Sequence, residues 1–173
     1  VGSGPSTFDR NRFGADGSFI TVHGDLSHTQ ELPAGIQVFG KIQGQLANEP
    51  LVSSEEFSGG GQQTVRGYLE SETVGDNGGF VSLELRSPSI LGWLGQKTGE
   101  WRFYAFGDAG GVTLIDALPE QQSRFALSSV GVGSRIALGD HLSGDCDAAY
   151  PLDSETYTKA HDLRLNFRVG LDY

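Results

Sequence analysis

Methionine is absent from the 173 residues, and cysteine occurs once, at Cys146. A lone thiol excludes an intramolecular disulfide framework, and inside a strand it reads as packing rather than as a nucleophile. Positive charge is scarce: 12 Lys and Arg stand against 22 Asp and Glu, a formal net charge of -10. Nucleic acid needs a basic face for its phosphates, so it is excluded as a partner. No apolar run reaches the roughly 18 residues of a membrane-crossing helix. A transmembrane barrel strand needs only about 9–11 residues of alternating pattern, so a membrane stays open as an environment. The opening VGSGPSTFDRNRFG has neither the basic start nor the apolar core of a signal peptide. The chain is therefore expected either to be cytosolic or to start, in nature, further upstream.

Glycine is what the chain has in plenty, at 26 residues, which suits a turn-rich all-β protein. After a Gly-, Ser- and Asp-rich lead-in, apolar and polar residues alternate. Ile20, Val22, Gly24 and Leu26 oppose Thr21, His23, Asp25 and Ser27. LPAG at 32–35 then turns into a second run, with Ile36, Val38 and Ile42 against Gln37, Phe39, Lys41 and Gln43, which makes a hairpin. Val81, Leu83 and Leu85 oppose Phe80, Ser82, Glu84 and Arg86. Trp101, Phe103 and Ala105 oppose Arg102, Tyr104, Phe106 and Asp108. A short extended piece at 51–58 and further runs over residues 123–139, 142–150 and 163–173 bring the total to about eight strands with no credible helix between them. Strands so connected are antiparallel. Their polar faces carry charge in nearly every strand, and one connection, residues 58–79, far exceeds a hairpin loop. Apolar-out, polar-in strands with short and long connections predict a transmembrane barrel; a soluble sandwich or jelly roll is the alternative.

That long connection holds FSGGGQQTVRGY, residues 57–68, in which a triple-glycine hinge leads to Arg66. A guanidinium cannot be deprotonated and presents a planar fork of donors, so it calls for a carboxylate in fixed geometry. Other candidate chemistry is thin. The four histidines (His23, His28, His141 and His161) lack metal-ligand spacing, and no metal is expected. Asp145 and Asp147 share a strand face without a nucleophile, which suits lumen lining better than acid catalysis. No catalytic residues are expected, and the chain does not read as an enzyme.

The tetrapeptide Val65, Arg66, Gly67, Tyr68 and, on the strand after next, Phe106, Asp108 and Gly110 in an aromatic-x-Asp-x-Gly element together resemble two hallmarks of the two-partner secretion translocators. This is the haemolysin-activator and filamentous-haemagglutinin-transporter family, within the barrel-assembly superfamily. The order of the motifs, the DAAYPL segment and the final alternating strand (Phe167, Leu171, Tyr173) extend the likeness from Phe19 to Tyr173. The resemblance implies an outer-membrane β-barrel of a Gram-negative bacterium, with residues 1–173 as the C-terminal half of sixteen strands. On this reading the POTRA domains lie outside the chain. It further implies that residues 58–79 fold into the lumen and that Arg66 pairs with Asp108, with Gly67 and Gly110 allowing close approach and Tyr68 and Phe106 packing beside the pair. Glu84, on the lumen side, is a second acceptor; the alternative is a lumen charge ladder in which Asp108 pairs with Arg102 or Arg86. The implied function is export of a large extended exoprotein with no cofactor. The implied partners are that exoprotein, the lipid bilayer (or detergent) and, during insertion, the barrel-assembly machinery. An insertase or a barrel anchoring a passenger enzyme remain the other uses of such a barrel.

Overall fold

The computed structural model describes residues 19–93, 99–139 and 142–171. Seven strands form one antiparallel sheet in the order β1 (Thr21–Glu31), β2 (Gln37–Ala47), β5 (Asn77–Arg86), β6 (Glu100–Thr113), β7 (Arg124–Leu138), β8 (Leu142–Pro151) and β9 (Arg164–Leu171). The remaining two, β3 (Phe57–Gly59) and β4 (Thr73–Gly75), pair only with each other. The main sheet thus has one strand fewer than the alternation suggests, because the extended piece before the glycine hinge joins the small ribbon. The only α-helical segment among the described residues is a single turn at Ile90–Trp93.

Each long strand is followed by its sequence neighbour in the sheet, apart from the β3–β4 excursion between β2 and β5. The β1–β2 turn is tight, with Ala34 at φ 65° and Gly35 at φ 78° and the Leu32 N–H donating to the Ile36 carbonyl at 2.8 Å. Strands β6 and β7, at 14 and 15 residues, are longer than a bilayer crossing needs.

The alternation decides which face is which. Val22, Leu26, Ile42, Leu83, Val132, Leu165 and Phe167 stand exposed on one face, Phe167 at 83%. A soluble sandwich would bury this face against a second sheet; here it is bare, as a lipid-facing surface is. The other face of β5–β8 is covered by the long loop, so Phe80, Glu84, Tyr104, Phe106, Asp108, Leu127 and Asp147 are buried. Strand β1, beyond the loop's reach, is exposed along nearly its whole length on both faces. The core therefore lies between the inner face of the central strands and the loop.

Candidate functional site

The loop enters and leaves through a narrow neck. Phe57 pairs with Gly75, Ser58 with Val74 and Gly59 with Thr73. Below this ribbon, the fully buried Asp76 ties three segments together. Its Oδ1 accepts from the Leu51 N–H and its Oδ2 from the Ile115 N–H, both at 2.7 Å, while its own N–H donates to the Thr113 carbonyl at 2.9 Å. Charge-assisted acceptance from backbone amides is among the stronger hydrogen bonds available.

Beyond the neck the chain turns back at Gly60 (φ 101°), where a Cβ would lie 2.4 Å from the Leu69 carbonyl oxygen. Glycine alone accepts that conformation and that space. The loop then drives Val65 and Tyr68 into a cluster with Phe80, Val112 and Leu127, which Phe57 and Phe125 flank. Tyr68 thus packs in this cluster rather than beside the Arg66–carboxylate group. Its hydroxyl sits 3.0 Å from the Ser128 carbonyl and 2.9 Å from the Asp153 carbonyl, and accepts from the Asp153 N–H at 3.1 Å.

Between Val65 and Tyr68, Arg66 reaches into the inner face of the sheet. Its Nε donates to Asp108 Oδ2 at 2.7 Å and its Nη2 to Asp108 Oδ1 at 2.8 Å, a bidentate fork on one carboxylate. The Arg66 backbone N–H adds a third bond to Asp108 Oδ2 at 3.1 Å. Nη1 donates to Glu84 Oε1 at 2.7 Å and Nη2 also to Ser82 Oγ at 3.0 Å. Ser82 in turn donates to Asp108 Oδ1 at 2.6 Å. The guanidinium carbon lies 3.6 Å from the Phe106 ring centroid, so the flat face of the cation is used as well as its edge. Burial alone would weaken the cation's hold on its proton, but the hydrogen bonds and charges of Asp108 and Glu84 outweigh it and raise the Arg66 pKa.

Strand register explains why these groups meet. Ser82 pairs with Asp108 and Glu84 with Phe106 across β5 and β6, so all four side chains project from neighbouring inward positions. Arg86 and Arg102 are occupied elsewhere. Arg86 donates from Nε to Glu84 Oε2 at 2.8 Å, and Arg102 holds Glu100 and the Gly35 and Ser87 carbonyls. Gly67 (φ 93°) lets the chain pass Ala149 and Pro151. Gly110 makes room for the Phe80 ring and the β5 backbone rather than for Arg66, since a Cβ there would be 2.2 Å from the Gly79 carbonyl oxygen. Phe167 and Leu171 lie on the exposed face, remote from this group; Tyr173 falls outside the described residues.

Four contacts had no counterpart in the motifs. The Tyr104 hydroxyl donates to Asp147 Oδ1, and Gln62 Nε2 reaches Asp147 Oδ2 at 3.3 Å, so Asp147 lines the inner face and holds the loop. Asp145 is engaged by Arg168 at 3.1 Å from both Nε and Nη2. Lys41 Nζ donates to the Gln63 carbonyl at 3.0 Å. Strand parity was a usable signal for Tyr104 and Asp147. For Glu72, on the returning arm of the loop, there was none. Its carboxylate accepts from the N–H groups of Leu69 (2.9 Å), Tyr157 (3.1 Å) and Thr158 (2.7 Å) and from Thr158 Oγ1 (2.5 Å).

These bonds outweigh burial and hold the Glu72 carboxyl below the usual range, whereas burial and the charges of Glu72 and Asp153 push Glu155 up. The signs are opposite. A depressed carboxyl contributes stability above the unfolded value of about 4.3 and loses it as pH falls through the folded one. A raised carboxyl strains the fold while ionised, and that strain is relieved as pH falls through its folded value. Mild acid is therefore expected to tighten the 152–163 connection, and stronger acid, under the ordinary carboxylate range, to free it. The mobility of a spin label at exposed position 156, followed against pH, checks this: a minimum should precede the rise.

Residues 6–136 match the sequence model of the haemolysin secretion/activation protein family ShlB/FhaC/HecB. The outer membrane transporter CdiB of Dickeya dadantii (strain 3937) is 26% identical over 147 residues, 85% of this chain and 25% of that protein. The solved structure of CdiB from Escherichia coli superposes with a TM-score of 0.72 at 23% identity, over 88% of this chain and 27% of the other. That second likeness concerns the fold. The chain spans about a quarter of the length of these relatives.

Proposed function

The chain belongs to the ShlB/FhaC/HecB family of haemolysin secretion/activation proteins, and from that premise we propose that it forms part of the wall, and the inner latch, of a pore exporting one large, extended exoprotein. Its place is the outer membrane of a Gram-negative bacterium. The bare apolar face of the strands meets lipid, and the barrel-assembly machinery inserts them. The inner face offers a polar wall, and residues 58–79 fold against it as the loop that keeps the conduit in its working form. Substrate recognition falls to POTRA domains outside the chain, by strand addition. The chemistry is positioning: no bond is made or broken in the exported chain.

The observation that carries this reading is the buried Arg66 fork. A loop used only as surface connection has no need of a guanidinium with a side chain 6% exposed, clamped by two carboxylates that are themselves nearly inaccessible. Ordering such a loop has an entropic cost that only specific contacts offset. The test is export in the full-length parent. Deleting the parent gene should leave its exoprotein in the periplasm, and re-expression should return it to the medium. Export unchanged in the deletion strain would overturn the reading.

A further inference from the structure

The connection between β8 and β9, residues 152–163, touches the long loop at two points that the Arg66 latch does not involve. At its root, the Asp153 backbone brackets the Tyr68 hydroxyl through both its carbonyl and its N–H, at 2.9 Å and 3.1 Å. At its far end, Tyr157 and Thr158 give two N–H groups and a hydroxyl to the single Glu72 carboxylate. Thr158 is 2% exposed, although it lies in a surface connection.

The connection is also braced internally. The Glu155 N–H donates to the Thr158 carbonyl and the His161 N–H to the Pro151 carbonyl, both at 2.8 Å, and the Ala160 N–H to Ser154 Oγ at 2.9 Å. Tyr150 and His161 stack with ring centroids 5.2 Å apart. A segment braced this way moves as a body, and the body rests on the 68–72 arm of the loop. Tyr68 and Glu72 are four residues apart, so both ends of the contact fall on one short stretch of loop.

We propose that the β8–β9 connection is the outer keeper of the long loop, with Glu72 as the positioning residue that joins them, and that the exit of the conduit opens only when this clasp parts. The inference rests on the export reading. It adds to it a second anchor, on the returning arm of the loop. Backbone amides and a hydroxyl converging on one carboxylate give a strong but separable contact: no buried charge is stranded when the clasp opens, because Glu72 is only part-buried and meets water. Arg66, by contrast, cannot leave without stranding Asp108. The outer clasp is thus the contact that parts first.

The experiment uses the full-length parent with Cys146→Ala to clear the one thiol of this chain. Glu72→Cys and Thr158→Cys are joined by a short reducible bis-thiosulfonate linker, since a side chain of glutamate length separates the two backbones. Linking in the assembled barrel should lower export at least tenfold, and reduction should return it to the level of the unlinked pair. Complete linking with unaltered export overturns the proposal, and so does failure of the linker to join the two positions in an assembled barrel. A second variant, Glu72→Ala, should raise spin-label mobility at position 156 with barrel assembly unchanged; unchanged mobility also overturns it. Absence of export from the unsubstituted parent counts against the transport reading instead, and the label mobility still reads the clasp in that case.

Discussion

Arg66→Ala in the full-length parent is expected to cut export by well over tenfold and to loosen the loop while the strands still assemble. The reason is asymmetry. Removing the guanidinium strands the charge of Asp108, whose side chain is 1% exposed and keeps only two neutral donors of those described above, the Ser82 hydroxyl and the backbone N–H of residue 66. Glu84 suffers less, because Arg86 remains at 2.7 Å and Arg135 stands 3.7 Å away. Breaking one side of a buried pair costs about 3–5 kcal/mol, most of it the penalty on the charge left behind. Arg66→Lys should fall between: the charge survives, but the fork on Asp108 and the stacking on Phe106 do not. Arg66→Met with Asp108→Leu removes both charges and should be more stable than Arg66→Met alone, yet still deficient in export. Thermal unfolding of the detergent-solubilised barrel, read alongside export, separates the two effects. Full export from Arg66→Ala, or a double variant less stable than the single, would remove the basis for the latch.

How much of this was legible in the sequence follows from what each signal encodes. Period-two alternation is local, so the faces of β2, β5, β6 and β9 came out correctly, and with them the inward placement of Glu84, Tyr104 and Asp108. The contrast between a charged inner face and a bare apolar outer one also decided for a barrel-type sheet over a sandwich. Motif resemblance supplied the pairing of Arg66 with Asp108, which no local pattern contains, since 42 positions separate them. Loop-to-loop contacts were invisible. Glu72 sits in an aperiodic segment, and its partners Tyr157 and Thr158 are 85 and 86 positions away. Tyr68 was misplaced for a related reason: adjacency to Arg66 in sequence says nothing about which side of an irregular loop a ring takes. The strand count differed because three residues suffice for the neck ribbon, too few to show alternation.

The second large effect is expected from a residue that touches neither Arg66 nor either carboxylate. Phe106 and Tyr104 on β6 lie directly opposite Gly131 and Gly133 on β7, and their rings lie over those glycines. A Cβ at Gly131 would stand 2.4 Å from the Phe106 ring tip and 2.4 Å from the Ala148 carbonyl oxygen. Neither neighbour has room to yield: one is the ring under the Arg66 guanidinium, the other the backbone of β8. Gly131→Val should therefore lift Phe106 out of its seat and loosen the β7–β8 pairing, although valine by itself favours a strand. Overpacking of this kind costs about 1–3 kcal/mol, and export should fall severalfold because the latch loses the surface it rests on. Gly107→Val is the control. That position faces outward, and the nearest obstacle to its Cβ is the Ser129 carbonyl oxygen at 4.0 Å, so stability and export should hold. Adding Phe106→Leu to Gly131→Val returns space and should recover assembly without recovering export, since the stacking partner of Arg66 is then gone. Equal behaviour of the two glycine variants would mean that the rings seated on β7 contribute nothing to holding Arg66.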